Sequence, residues 1–133
     1  MTNISTIDVV EGDDVTLLCQ YNSLADFDLH WYKKNNTTFV KIWTYSSKIT
    51  AVSEQDKPLK GFNSSLERAR PELPVTQGHS IKIKNVSQQD EAGYLCELEL
   101  DNGARKGSAS TTVNVLSKCC CKILPILLNI FHI

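Results

Sequence analysis

The residues of this chain whose chemistry depends on spacing are its cysteines, its histidines and its N-x-[ST] sequons. Cys19 and Cys96 lie far apart in the body of the chain, whereas Cys119, Cys120 and Cys121 stand in a row near its end. His30, His79 and His132 fall in separate segments without metal-ligand spacing, so no metal site is expected from them. Sequons at Asn3, Asn35, Asn36, Asn63 and Asn85 are glycan acceptors if the chain enters the secretory route, although adjacent Asn35 and Asn36 would rarely both carry sugar. No Gly-x-Ser-x-Gly, His-Glu-x-x-His or phosphate-loop pattern occurs, and no carboxylate pair stands out from ordinary surface charge. Neither an enzyme nor a bound cofactor is expected.

A chain of 133 residues has room for one domain with a real core and not for two. Fourteen basic residues against fifteen acidic ones leave a net charge of −1 without a block of like charge, which excludes a nucleic-acid footprint or a polybasic membrane patch. The basic pair Lys33-Lys34 is expected to cap a strand in solvent. The opening Met1-Thr2-Asn3-Ile4-Ser5 has neither the basic nor the apolar region of a signal peptide, so export would require a leader outside this sequence.

The elements that must position these residues read as short alternating strands between polar turns, the pattern of an all-β sandwich. Val15, Leu17 and Cys19 alternate with Thr16, Leu18 and Gln20, so one face carries the cysteine inward. Leu29 and Trp31 form an inward set against Asp28, His30, Tyr32 and Lys34; Asn35 to Thr38 is a turn. In the next strand, Phe39 to Tyr45, alternation predicts Val40 and Ile42 inward, with Lys41, Trp43 and Tyr45 outward. From Ser46 to Pro74, prolines and Gly61 break the pattern, and short edge strands are expected there. Inward sets return at Ile81, Ile83 and Val86, at Tyr94, Cys96, Leu98 and Leu100, and at Val113 and Val115, with Asp101-Asn102-Gly103 as a hairpin-turn signal.

Glu11-Gly12-x-x-Val15-x-Leu17-x-Cys19, then Trp31, then Asp90-x-Ala92-x-Tyr94-x-Cys96 together resemble the immunoglobulin superfamily. The resemblance runs from about Ile4 to Leu116. It implies a two-sheet Greek-key sandwich with a Cys19–Cys96 disulfide, Trp31 packed against it, and the Tyr94 hydroxyl bonded to backbone at the corner before its strand. Closing that loop would constrain the unfolded chain by about 4.5 kcal/mol on the entropic model. The long interval between the cysteines leaves room for the extra strands of the variable type (V-set). Arg68-x-x-Pro71-Glu72-Leu73 and Gly78 to Val86 resemble the costimulatory-ligand and butyrophilin group, whose members are recognised by receptors on T cells. Gly103-Ala104-Arg105-Lys106-Gly107-Ser108 lacks the Phe-Gly-x-Gly of rearranging antigen receptors, although a germline-encoded relative without that motif stays open. The domain assignment is therefore 1–117, followed by a tail at 118–133.

The resemblance places partner binding on the outer face of one sheet, and alternation assigns His30, Tyr32, Trp43, Tyr45, Leu95, Glu97, Glu99 and Thr112 to it. Replacing Tyr32 and Trp43 together is then expected to abolish binding while sparing stability. Either Arg68 or Arg70 is expected to pair with Asp90. After Lys118 the cysteine row leads into Ile123 to Ile133, an apolar run half the length of a membrane-crossing helix, consistent with anchoring through a longer C-terminal segment. The expected partner is another cell-surface protein, a T-cell receptor of the immunoglobulin superfamily among the candidates. The alternative is homophilic adhesion through a symmetric dimer. The expected location is extracellular, secreted or on the outer side of the plasma membrane.

Overall fold

The computed structural model describes residues 2–21, 26–46, 56–59, 65–68, 78–100, 103 and 105–118. Among these residues nine strands run in the order β1 (Thr2–Val10), β2 (Val15–Gln20), β3 (Phe27–Asn35), β4 (Thr38–Ser46), β5 (Asp56–Pro58), β6 (Ser65–Arg68), β7 (Gly78–Lys84), β8 (Ala92–Leu100) and β9 (Arg105–Leu116). A single 3-10 turn at Gln88–Asp90 precedes β8. The strands form a six-stranded sheet, β1-β9-β8-β3-β4-β5, and a three-stranded sheet, β2-β7-β6. Among the described strands β1 pairs in parallel with β9 and the other pairs are antiparallel.

The short edge strands expected between Ser46 and Pro74 are β5 and β6, each on the rim of its sheet. Alternation is followed closely in β2, where Val15, Leu17 and Cys19 are buried and Thr16, Leu18 and Gln20 exposed. Inner faces of both sheets meet around Leu17, Leu29, Trp31, Ile81, Ile83, Tyr94, Cys96 and Val113. The Cys19–Cys96 disulfide crosses between them, with a Cα–Cα distance of 6.1 Å, and Trp31 lies opposite Cys96 in the β3–β8 register.

The corner before β8 is closed by backbone acceptors. The Tyr94 hydroxyl donates to the Asp90 carbonyl at 2.6 Å, and burial, reinforced by the Asp90 carboxylate, pushes the Tyr94 phenol far above its ordinary range. Asp90 is itself buried and accepts the Ser87 N–H at 2.8 Å through its carboxylate. Lys33 also reaches this corner, its Nζ donating to the Gln89 carbonyl at 2.6 Å in an exposed hydrogen bond, while Lys34 is exposed near the end of its strand. Arg70 and the side chain of Arg68 lie outside the described residues, as do Asp101, Asn102 and residues 119–133. Gly103 does adopt the positive φ, 81°, that the turn signal requires.

Strand β4 departs from the expected alternation. Trp31 pairs with Trp43, but the next residue, Tyr32, pairs with Lys41, so Ile42 is the extra residue of a β-bulge. One inserted residue exchanges the faces on either side of it. Ile42, Trp43 and Tyr45 are consequently all buried, at 1%, 2% and 5% exposure, while Val40 is half exposed. The outward assignment of Trp43 and Tyr45 is thereby corrected; Val40, opposite Lys33, keeps the side of Trp31 that alternation predicts but is not buried there. Tyr45 packs its ring 5.3 Å from that of His79, a buried residue of the opposite sheet. The His79 ring in turn accepts the Trp31 indole N–H at 3.3 Å through Nδ1. A histidine thus sits in the core as a polar partner that Trp31 requires.

Candidate functional site

Register across β9, β8, β3 and β4 defines the outer face of the six-stranded sheet, because cross-strand partners point to the same side. His30, opposite Glu97 and Thr44, fixes its centre; Tyr32, opposite Leu95 and Lys41, extends it towards the β3–β4 turn. Thr112 stands opposite Gly93 and is exposed. Six of the eight sequence-assigned residues, His30, Tyr32, Leu95, Glu97, Glu99 and Thr112, are therefore brought together on this face and are partly or fully exposed. Trp43 and Tyr45 are not, for the reason given by the bulge.

Phe39, two residues before outward Lys41 and on the same side by alternation, is a further member of this face. It pairs with Lys34 and is 47% exposed, so it supplies the apolar surface that Trp43 and Tyr45 do not. Lys34 lies over Gly93, where an added Cβ would meet the Lys34 Cβ at 3.7 Å, an ordinary packing contact. Lys41 sits with its Nζ 5.9 Å from the centre of the Tyr32 ring, a cation–π arrangement. The only sequence signal for this rearrangement is the adjacent apolar pair Ile42-Trp43, which a strictly alternating strand would not contain.

Charge is divided along the face. Lys34 and Lys41 lie towards the β3–β4 turn, and Asp28, Glu97 and Glu99 towards the opposite end. Arg105 joins the acidic end, where its guanidinium pairs with Glu97 and its Nη2 stands 3.8 Å from the Glu99 carboxylate. His30 lies between these groups, with Nδ1 3.4 Å from the Thr44 hydroxyl. Burial, with Lys41 adding to it, lowers the His30 pKa below its ordinary value, against the pull of Glu99 and Asp28.

Asn35 and Asn36 are exposed in the β3–β4 turn, where Asn36 takes a φ of 58°, a conformation asparagine tolerates. Asn85 is exposed at a φ of 52° between β7 and the 3-10 turn, with its N–H bonded to the Asp14 carboxylate at 2.9 Å. Asn3 belongs to β1, its side chain undescribed, and Asn63 lies outside the described residues.

Residues 2–116 match the family model of the immunoglobulin V-set domain. The chain belongs to the V-set family. Among solved structures it is similar to one from a study of "multimeric cell-adhesive interactions of VGSC beta subunits", with a TM-score of 0.66 and 17% identity over 85% of this chain and 92% of that one. Identity at that level shows a shared fold. No curated protein matches the chain in sequence. V-set domains are generally recognition modules without enzymatic activity, and their function rests on the surface that the sandwich displays. No helix among the described residues is long and apolar enough to cross a membrane.

Proposed function

We propose that this V-set domain is an extracellular recognition module that binds another cell-surface protein through the outer face of its six-stranded sheet. The observation that carries this reading is the composition of that face: Tyr32, Phe39, His30 and Leu95 among interspersed lysines and carboxylates, none of them required for the core. Partly exposed aromatics ringed by charge are what protein interfaces use for anchoring and for register. The core disulfide fits an oxidising, extracellular setting. Resemblance of the Arg68–Leu73 and Gly78–Val86 segments to costimulatory ligands and butyrophilins makes a receptor on T cells the preferred partner class. The test is a binding screen of the soluble chain against displayed receptor ectodomains, repeated with Tyr32→Ala and Phe39→Ala. Binding by the native protein that both substitutions leave untouched assigns the partner to the loops or the other sheet and refutes the reading.

Homophilic adhesion is the second reading, and the division of charge favours it. A two-fold axis through the middle of the face would set Lys34 and Lys41 of one copy against Asp28, Glu97 and Glu99 of the other. The similar solved structure comes from work on cell-adhesive interactions. Analytical ultracentrifugation separates the readings: a dimer that dissociates with rising salt supports adhesion, and a monomer at high concentration supports a separate partner.

A further inference from the structure

The fold converts three residues that are unremarkable in sequence into a convergent donor set. Asp28 and His30, two apart on β3, share the outer face, and Glu99 on β8 lies directly opposite Asp28 in register. One imidazole nitrogen and one oxygen from each carboxylate all fall within 4.8 Å of one another, and all three residues are partly buried. Two carboxylates directly opposite on adjacent strands repel, so the pair is unfavourable unless a positive charge lies between them. Arg105 meets that need incompletely: it is shared between Glu97, with which it pairs, and Glu99, from which it stands 3.8 Å. Lys41, from β4, has its charge near His30.

We propose that Asp28, His30 and Glu99 form a binding site for a first-row divalent cation of the Zn2+ class. One imidazole and two carboxylates are donors that such an ion accepts, and the two negative charges neutralise it. Donors about 2.0–2.2 Å from the ion would stand roughly 3.4 Å apart in a tetrahedron, so a pair at the 4.8 Å limit closes by about 1.4 Å through side-chain rotation. The Thr44 hydroxyl, 3.4 Å from His30 Nδ1, is placed to accept that N–H and leave Nε2 with a free lone pair, the usual second support of a ligating histidine. Three protein ligands leave a fourth position to water, on the surface that faces a partner. The site stands whether or not that face binds protein.

The experiment uses the full chain, freed of metal with chelator, and titrates Zn2+ at neutral pH. Binding is read by calorimetry and by the ring-nitrogen NMR signals of His30. One equivalent should shift the His30 nitrogens, Asp28→Asn and Glu99→Gln should each weaken binding tenfold or more, and His30→Ala should abolish it. Glu67→Gln, on the other sheet, should change nothing, and near-UV circular dichroism verifies that each variant is folded. Unmoved His30 signals, or an isotherm that His30→Ala leaves intact because Cys119 to Cys121 hold the ion, overturn the proposal.

Discussion

Trp43→Ala and Tyr32→Ala, made separately, distinguish the bulged register of β4 from an unbroken one. Trp43 is 2% exposed and Tyr32 stands on the outer face, so their truncations should part company. Removing a buried tryptophan side chain forfeits its transfer energy and leaves a cavity, together about 3–5 kcal/mol. With an unfolding entropy of roughly 2.1 cal/mol/K per residue, a domain of this size loses about 4 °C of Tm per kcal/mol, so the drop should be about 12–20 °C. Tyr32→Ala loses a cation–π contact with exposed Lys41 and little packing, and should move Tm by no more than about 3 °C. Differential scanning calorimetry of the three proteins, with urea unfolding as a second measure, reads both effects. If Trp43→Ala melts with the parent while Tyr32→Ala falls by ten degrees or more, Tyr32 is in the core, Trp43 is outside it, and the register argument is wrong. The same structure revises the expectation for the double variant: Tyr32 and Trp43 replaced together should lose stability through Trp43 alone, so binding experiments belong with Tyr32 and Phe39.

His79→Ala should cost about 2–4 kcal/mol in urea unfolding, because it removes buried volume and strands the Trp31 indole N–H; equal stability of variant and parent would show that the indole needs no partner. Cys19→Ser should remove about 4.5 kcal/mol on the entropic model and prevent recovery of folded, secreted chain, which a yield equal to the parent would contradict. In an alkaline titration followed at 295 nm, Tyr94 should stay protonated through the ordinary tyrosine range near pH 10. Its phenol pKa is raised in the fold, so the unfolded chain releases that proton first, and stability should fall as pH rises above about 10. Tyr94→Phe should abolish that part of the alkaline loss; a four-tyrosine absorbance step near pH 10 in the folded protein would count against the buried bond to Asp90.

What the sequence determined by itself is the set of contacts that depend on strand alternation and on a few long-range signature residues. Val15-x-Leu17-x-Cys19 announces its face because every second residue is apolar, and Tyr94-x-Cys96 does the same in β8. The resemblance carried by Cys19, Trp31, Asp90, Tyr94 and Cys96 implies the sandwich and its disulfide, and the structure joins those side chains across both sheets. His30, Tyr32, Leu95, Glu97, Glu99 and Thr112 follow onto the outer face by parity from neighbours whose burial is plain. Parity fails where a residue is inserted. The bulge at Ile42 is a property of the β3–β4 pairing and not of β4 alone, so only the assembled sheet could bury Trp43 and Tyr45 while leaving Lys41 and Phe39 outside. His79 likewise reads as an ordinary polar residue until the opposite sheet supplies the Trp31 indole and the Tyr45 ring. Linear spacing separates the histidines from one another, yet β8 returns antiparallel beside β3 and brings Glu99, some seventy residues on, to Asp28 and His30. Cross-strand register is a relation between segments far apart in the chain, and tertiary pairing alone decides it.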